Sequence, residues 1–355
     1  MRVLIAPDCY GDSLTAVEAA EAIARGWRSG RPDDELVLAP QSDGGPGFVG
    51  VLAGRIGEVN TLRVSGPLTE DVSADWVLDP AAPRTAYIEC AQACGLALLG
   101  GPPTAQTALA AHSRGVGQLM AAAVRAGAVR IVVGLGGSSC TDGGRGMIDE
   151  LAAHARSRDK ASLIAARKLL AGVELIAATD VEHPLLGPMG AAAVFGPQKG
   201  ADGAAVAELE RRLERLADRY RDARGVDVRN LPGSGAAGGL AGGLAAYGAR
   251  LVPGAALVAD VVGLSDALQG ASLVLTGEGR VDATSFAGKV VGHVLREGRG
   301  LDVPVAIVAG DAERATLPKN VECLTLIELG GSLEAALGDA GGLAADAAAA
   351  LARTV

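Results

Sequence analysis

Residues 271–282 read Ala271-Ser-Leu-Val-Leu-Thr-Gly-Glu-Gly-Arg-Val-Asp282. A short apolar run enters a glycine-bracketed acid, the pattern of a buried parallel strand ending in a loop at the carboxyl edge of a sheet. The chain opens the same way, with Met1-Arg-Val-Leu-Ile-Ala-Pro-Asp8. Further strands are expected over about 35–40, at Val303–Val308 and at Cys323–Ile327. Together these five strands predict one discontinuous, doubly wound parallel α/β domain, about 1–58 plus 262–355. The middle, about 59–261, is then a second, mixed α/β domain inserted into it.

Working outward, the first two strands flank a helix over about 16–29, where Val17, Ala20, Ile23, Ala24 and Trp27 share a face. Ser13 lies in its N-cap region, with Glu18 and Glu21 in the early turns. Residues 59–90 alternate as antiparallel strands do: Leu62–Val64, Val72–Val77 and Ala86–Glu89. A helix over about 114–127 leads to a strand at Arg130–Val133, and another strand is expected at Leu175–Ala178. Residues 203–224 form a charged amphipathic helix, read as a solvated surface helix. The Gly/Ala run 233–246 needs close packing or a ligand to justify glycines that cost about 1 kcal/mol each in a helix interior.

Composition narrows the function. A net charge of −9 argues against non-specific nucleic-acid binding, and no basic run interleaved with aromatics occurs. No stretch of about 18 apolar residues predicts a membrane span. The N-terminus lacks the longer apolar segment of a signal peptide. Cys9, Cys90, Cys94, Cys140 and Cys323 are odd in number and without C-x-x-C spacing, which fits reduced thiols in the cytoplasm. The four scattered histidines give no zinc pattern.

The chemistry concentrates in acid-bearing glycine loops at predicted strand ends. Asp8 and Ser13 follow the first strand, and Ser42-Asp-Gly-Gly-Pro-Gly47, with Asp43, Gly44 and Gly45, follows the second. Gly134-Leu-Gly-Gly-Ser-Ser-Cys-Thr-Asp-Gly-Gly144 offers Gly136, Gly137 and Ser138 as anion donors and Asp142 as a carboxylate. Glu278, Arg280 and Asp282 close the series, with Lys289 beyond. Asp180 is a further strand-end acid, and Lys199, in Gly196-Pro-Gln-Lys-Gly200, carries a charge that can reach a phosphate. An acid at such a place holds Mg²⁺ or accepts a substrate proton. Gly45-Pro-Gly-Phe-Val-Gly50 fits G-x-G-x-x-G, but it follows the wrong strand and contains Pro46, so a nicotinamide role has little support. No P-loop or protein-kinase signature occurs. Cys9 and Cys140 are read as small side chains, since no Cys-His-Asn set accompanies them.

These motifs, in this order, resemble the bacterial glycerate kinases that lack a P-loop, the glycerate 2-kinase-like type. The resemblance rests on A-P-D…S-L, S-D-G-G-x-G at 42–47, S-G-P-L at 65–68, G-L-G-G-S-x-x-T-D-G-G at 134–144 and P-L-L-G-P at 184–188. V-F-G-P-Q-K-G at 194–200, P-G-S-G-A-A-G-G at 232–239 and T-G-E-G-R-x-D at 276–282 continue it, to about residue 310. It implies a flavodoxin-like five-stranded domain with a mixed α/β domain inserted, and a cleft between them. It implies ATP and Mg²⁺ as cofactors and D-glycerate, or a similar small hydroxy acid, as acceptor, giving 2-phosphoglycerate in preference to 3-phosphoglycerate. Asp8, Asp43 and Asp142 would be catalytic. Ser13, Gly44, Gly45, Gly136, Gly137, Ser138, Lys199, Glu278, Arg280 and Asp282 would bind substrate or phosphate, and the metal ligands are not assigned.

The chain also departs from the family pattern. Gly11 stands where a lysine is usual, Pro46 and Gln92 where glutamates are usual, and Cys94 where a serine is usual. Ala111-His-Ser-Arg-Gly-Val-Gly-Gln118 replaces a different usual string, and brings in Arg114. These changes keep two alternatives open: a kinase of another small hydroxy acid or polyol, and a catalytically impaired regulatory homologue that binds a metabolite. Both monomer and homodimer remain open.

Overall fold

The computed structural model describes residues 1–68, 70–155 and 162–354. Its strands along the chain are β1 (Arg2–Ile5), β2 (Glu35–Leu38), β3 (Glu58–Ser65), β4 (Asp71–Asp79), β5 (Thr85–Glu89), β6 (Arg130–Gly134), β7 (Glu174–Ala178), β8 (Arg250–Val252), β9 (Leu273–Thr276), β10 (Arg280–Val281), β11 (Val305–Ala309), β12 (Asp311–Ala312) and β13 (Cys323–Thr325). They belong to two compact units. The first holds Met1–Asp43, Gly50–Arg55 and Pro253–Val355, and the second holds Gly44–Val49 and Ile56–Val252.

The first unit is built on a sheet of order β13-β11-β9-β1-β2, every neighbouring pair parallel. Counted in chain order this is 2-1-3-4-5, the flavodoxin-like arrangement. All of β9, and all but the first residue of β1 and β11, are buried, which is why they read as unbroken apolar runs, whereas the edge strand β2 is not. On the sheet, the helix Ala16–Gly30 packs against the helix Ala340–Thr354. They approach so closely that a side chain at Gly26 would run into the backbone of Ala345.

The helix cap falls two residues beyond Ser13. The Thr15 hydroxyl accepts from Glu18 N at 3.2 Å while the Glu18 carboxylate accepts from Thr15 N at 2.9 Å, a reciprocal capping box. The strand expected at Cys323–Ile327 stops at Thr325 for a related reason. The Thr325 hydroxyl accepts from Glu328 N at 3.3 Å and starts the helix Leu326–Gly330. Thr-x-x-Glu there outweighs the apolar run.

The second unit carries a six-stranded mixed sheet of order β3-β4-β5-β6-β7-β8. β3, β4 and β5 pair antiparallel, in keeping with the alternation over 59–90, and the pairs from β5 to β8 are parallel. The change follows from connection length: β5 reaches β6 by a long crossover that includes the helix Arg114–Arg125. The helix Gly203–Arg224 has the expected span, yet it is more than a surface element. It buries Leu209, Leu213, Leu216 and Tyr220, and the Tyr220 hydroxyl donates to Gly143 O at 2.7 Å. Packing also accounts for the Gly/Ala run. A side chain at Gly238 would strike the Cys140 carbonyl, and one at Gly243 would come within 2.7 Å of Gly143 O. Among the described residues no helix is long and apolar enough to cross a membrane.

Candidate active site

In the first unit the strand order reverses between β1 and β9, the place where open parallel sheets bind ligands beyond their carboxyl ends. Asp8 follows β1 and Glu278 follows β9. Backbone bonds lace the loops together: Asp8 N donates to Gly277 O at 2.8 Å, Gly279 N to Cys9 O at 3.2 Å and Gly310 N to Glu278 O at 3.0 Å. Glycine is needed at 277, since a side chain would run into the Val308 carbonyl. Below, the buried Tyr10 hydroxyl donates to that same carbonyl at 2.5 Å.

This lacing buries acids with few donors to stabilise their charge. Asp8 is 7% exposed, and one of its oxygens accepts from Cys9 N at 2.7 Å. Burial first, and the nearby charge of Asp43 second, hold its carboxyl well above the ordinary range. Glu278 is 9% exposed, and burial pushes its carboxyl up to about 7 against the opposing pull of Lys289. Its Oε1 is buried without a hydrogen-bond partner. Asp43 is half-buried beyond β2, and Ser13 is half-exposed in a turn where Ser13 N donates to Tyr10 O at 3.1 Å.

Two other residues expected at this wall have different surroundings. Arg280 is exposed on β10. Asp282 forms a turn: one oxygen accepts from Thr284 N at 2.8 Å and Thr284 Oγ1 at 2.6 Å, and these bonds hold its carboxyl below the ordinary range.

In the second unit the glycine loop 134–144 follows β6. Asp142 there is saturated. Its Oδ2 accepts from Ser113 N at 2.9 Å, Ser113 Oγ at 2.8 Å and Gly146 N at 2.9 Å, and its Oδ1 from Gly144 N at 3.1 Å. These four bonds match the capacity of a carboxylate. They describe a group that locks a loop onto two helix starts.

Lys199 is 2% exposed, and its Nζ donates to Ser138 Oγ at 3.0 Å and to Cys140 O at 2.6 Å. Burial holds the ammonium below the usual lysine range. The expected glycines meet one another as packed backbone. Gly136 N donates to Gly44 O at 3.0 Å, a side chain at Gly136 would strike Gly45, and one at Gly137 would lie 2.7 Å from Pro46. Part of their donor capacity therefore serves the fold.

Three contributors were not singled out in the sequence. Glu89 ends β5, 3% exposed, and accepts from Gly47 N at 3.2 Å and Val49 N at 3.1 Å, while burial pushes its carboxyl up to about 7. Its signal was the strand-end acid already used for Asp8. Ser113, completely buried, links Asp142 to the next helix by accepting from Met147 N at 3.0 Å. Tyr10 supports Val308; neither of these had a local signal. Asp180 lies half-buried just past β7. Gln92, at a departure from the family pattern, accepts from Asp75 N at 3.0 Å.

Comparison with known proteins agrees with this architecture. The model of the Glycerate kinase family matches residues 3–355, so the likeness continues past residue 310, where the motifs gave out. An uncharacterized protein of Mycobacterium bovis is 56% identical over 359 residues, covering 99% of this chain and 92% of the relative. Glycerate 2-kinase of Escherichia coli is 37% identical over 327 residues, covering 87% of this chain and 85% of the enzyme. A crystal structure from Salmonella typhimurium LT2, assigned provisionally as glycerate kinase 2, superposes with a TM-score of 0.78 at 34% identity, covering 100% of this chain and 98% of that one.

Proposed function

The chain belongs to the glycerate kinase family, and on that premise we propose that it is a cytoplasmic, ATP-dependent kinase that converts D-glycerate to 2-phosphoglycerate. The observation that carries this reading is the pair of buried acids, Asp8 and Glu278, at the switch point of the first unit's sheet. Phosphoryl transfer needs a group that takes the acceptor hydroxyl's proton as its oxygen attacks the γ-phosphorus and ADP leaves. A carboxyl whose affinity for protons is raised by burial meets that need. Asp8 is assigned this role, with Asp43 beside it.

Mg²⁺ fits this set in a limited way. Among the described residues no group of three or more His, Cys, Asp or Glu could hold a metal alone. Asp43 suits one of the one or two carboxylates that Mg²⁺ takes when phosphates supply other ligands, which leaves Asp8 free to take the proton. Bound there, the ion would neutralise charge on the phosphates. In the second unit, Lys199 and Ser138 provide a rigid cation and hydroxyl for a carboxylate or phosphate. Asp142 and Ser113 hold that loop in place.

The test is release of ADP with D-glycerate in the presence of Mg²⁺, followed by ³¹P NMR of the product. Formation of 2-phosphoglycerate is expected. Exclusive formation of 3-phosphoglycerate would overturn the regiochemistry and keep the kinase. One observation favours a different hydroxy acid or polyol as acceptor: Gly11, where the family usually has lysine, lies in open space. Turnover of such an acceptor with none of D-glycerate would decide for it.

A further inference from the structure

The sheet of the second unit ends in a long, exposed edge strand. β3 runs eight residues, Glu58–Ser65, and pairs with β4 in unbroken register along its whole length. The other edges of the two large sheets are much shorter: β2 has four residues, and β8 and β13 have three each. Short edges resist pairing with another chain, and so do edges guarded by lysine, proline or a bulge. β3 has none of these.

The ladder fixes which backbone groups face outward. In an antiparallel pair, successive residues alternately bond the neighbouring strand and point away from it. Gly66 N donates to Glu70 O at 2.8 Å, one step beyond the opposed residues Ser65 and Asp71. Counted back by twos, Val64, Leu62, Asn60 and Glu58 bond β4, while Ser65, Arg63, Thr61 and Val59 face the open side. A separate contact agrees, since Ser65 N donates to the Gln118 side chain at 2.8 Å. The helix Arg114–Arg125 closes that end of the edge, where a side chain at Gly115 would strike Ser65 O. The other three residues are uncovered. Among the described residues no hydrogen bond reaches the N–H or C=O of Val59, Thr61 or Arg63 from that side. Val59 is 52% exposed, and Thr61 and Arg63 are exposed as well.

We propose that β3 is the interface to a second copy of this chain. The two strands pair antiparallel about a two-fold axis at Thr61 and join two six-stranded sheets into one. Self-complementarity singles out a second copy as the occupant. With the axis at Thr61, Thr61 lies opposite the partner's Thr61, and Val59 opposite the partner's Arg63. All three outward residues are then used, in three pairs that exchange about two hydrogen bonds each. A Thr–Thr pair is favourable, and no like charges meet, because Glu58 falls opposite the partner's Val64. Neighbouring registers do worse. An axis at Asn60 carries Arg63 past the strand's start, to the partner's Gly57. An axis at Leu62 sets Val59 against the partner's Ser65, whose N–H is already taken. An axis at Arg63 opposes two guanidinium groups. Strand pairing of this length buries less than a standard interface, so the dimer dissociates on dilution.

The test is sedimentation velocity of the full chain over a dilution series, which does not depend on the proposed activity. Monomer and dimer in exchange are expected, with dimer prevailing at about 100 μM. Thr61→Lys sets two ammonium groups face to face at the axis and should weaken the dimer at least tenfold. Thr61→Pro should do the same by removing an N–H that β4 does not use, a place where an edge strand tolerates proline. Ala204→Lys, exposed on the helix Gly203–Arg224, controls for added charge. Urea denaturation of each variant checks that it is folded. Thr61→Cys and Arg63→Cys read the register without either variant. Copper phenanthroline should link Thr61→Cys chains into a dimer beyond the wild-type background. It should leave Arg63→Cys chains separate, since four residues of strand hold those thiols about 14 Å apart. A wild type that stays monomeric at about 100 μM overturns the proposal. So does a dimer that persists in both folded Thr61 variants, or linkage of Arg63→Cys in place of Thr61→Cys.

Discussion

Asp8 and Asp142 look alike in the sequence, each an acid among glycines or turn residues just past an apolar strand, and the structure treats them in opposite ways. Asp8, in the first unit, is buried, accepts from Cys9 N and has the charge of Asp43 nearby. Asp142, in the second unit, receives four hydrogen bonds from Ser113, Gly144 and Gly146. Donors decide which kind of site an acid makes. A carboxylate with too few stays reactive toward protons, and one with its capacity filled becomes a fastener.

The largest expected effect tests the reactive side. Asp8→Asn should lower kcat by ~10³-fold, the order that a positioned base supplies. It should not lower stability. An acid raised by burial binds its proton more tightly folded than unfolded, so its ionised form opposes folding at pH 7, and the amide removes that cost. Steady-state kinetics and denaturant titration on the same preparation check both parts. Near-wild-type kcat would remove Asp8 from the chemistry, and a marked loss of stability would make it a fastener too.

Asp142→Ala should show the reverse. It orphans three backbone N–H groups and the Ser113 hydroxyl, at a cost of about 3 kcal/mol or more. Urea denaturation measures it. A stable Asp142→Ala protein whose only defect is in kcat would erase the distinction between the two acids and return Asp142 to the catalytic set.

Both the legible and the hidden parts of this molecule follow from the range of the forces involved. The inner strands of the first unit, β1, β9 and β11, could be read because burial on both faces leaves apolar runs. The helix at Gly203–Arg224 could be read because its period is local. The shortening of the last strand was in principle legible too, since Thr325 and Glu328 carry a capping signal, but the apolar run Leu324–Ile327 hid it. The site residues were recognisable as a set and not by role. Nothing near residue 142 announces that Ser113, from a different helix start, fills its carboxylate. Nothing near residue 238 says that a carbonyl of Cys140 forbids a side chain there. These are contacts between distant segments, which spacing does not encode.

Glu89 sharpens the comparison at intermediate size, because it combines burial with two donors, Gly47 N and Val49 N. Burial wins, and its carboxyl lies at about 7. A group raised in this way stabilises the fold fully below its unfolded value near 4.5 and loses that contribution as pH climbs to about 7. Glu89→Gln keeps an acceptor for both N–H groups and abolishes the titration. Relative to wild type it should gain about 2 kcal/mol between pH 5 and pH 8, read as the difference of two denaturant curves. An identical pH slope in the two proteins would mean that the two donors cancel the effect of burial on Glu89.

The smallest expected effect concerns the loop that presents Asp8. Gly11 has φ of +57°, in the left-handed region, with no atom within 4 Å of a side chain placed there. The usual family lysine therefore meets no steric obstacle, and what opposes it is backbone conformation. Gly11→Lys should cost about 1 kcal/mol from that conformation alone. If the added ammonium relieves the repulsion between Asp8 and Asp43, part of that cost returns, and the recovery should fade as pH falls and Asp8 takes up its proton. Thermal melts at pH 5 and pH 8 separate the two contributions. A loss of stability equal at both values would show that the new cation does not reach the acids. A loss confined to pH 5 would show that this loop can adapt to the family's lysine, and that the acids beside it, more than the glycine, define what the first unit can do.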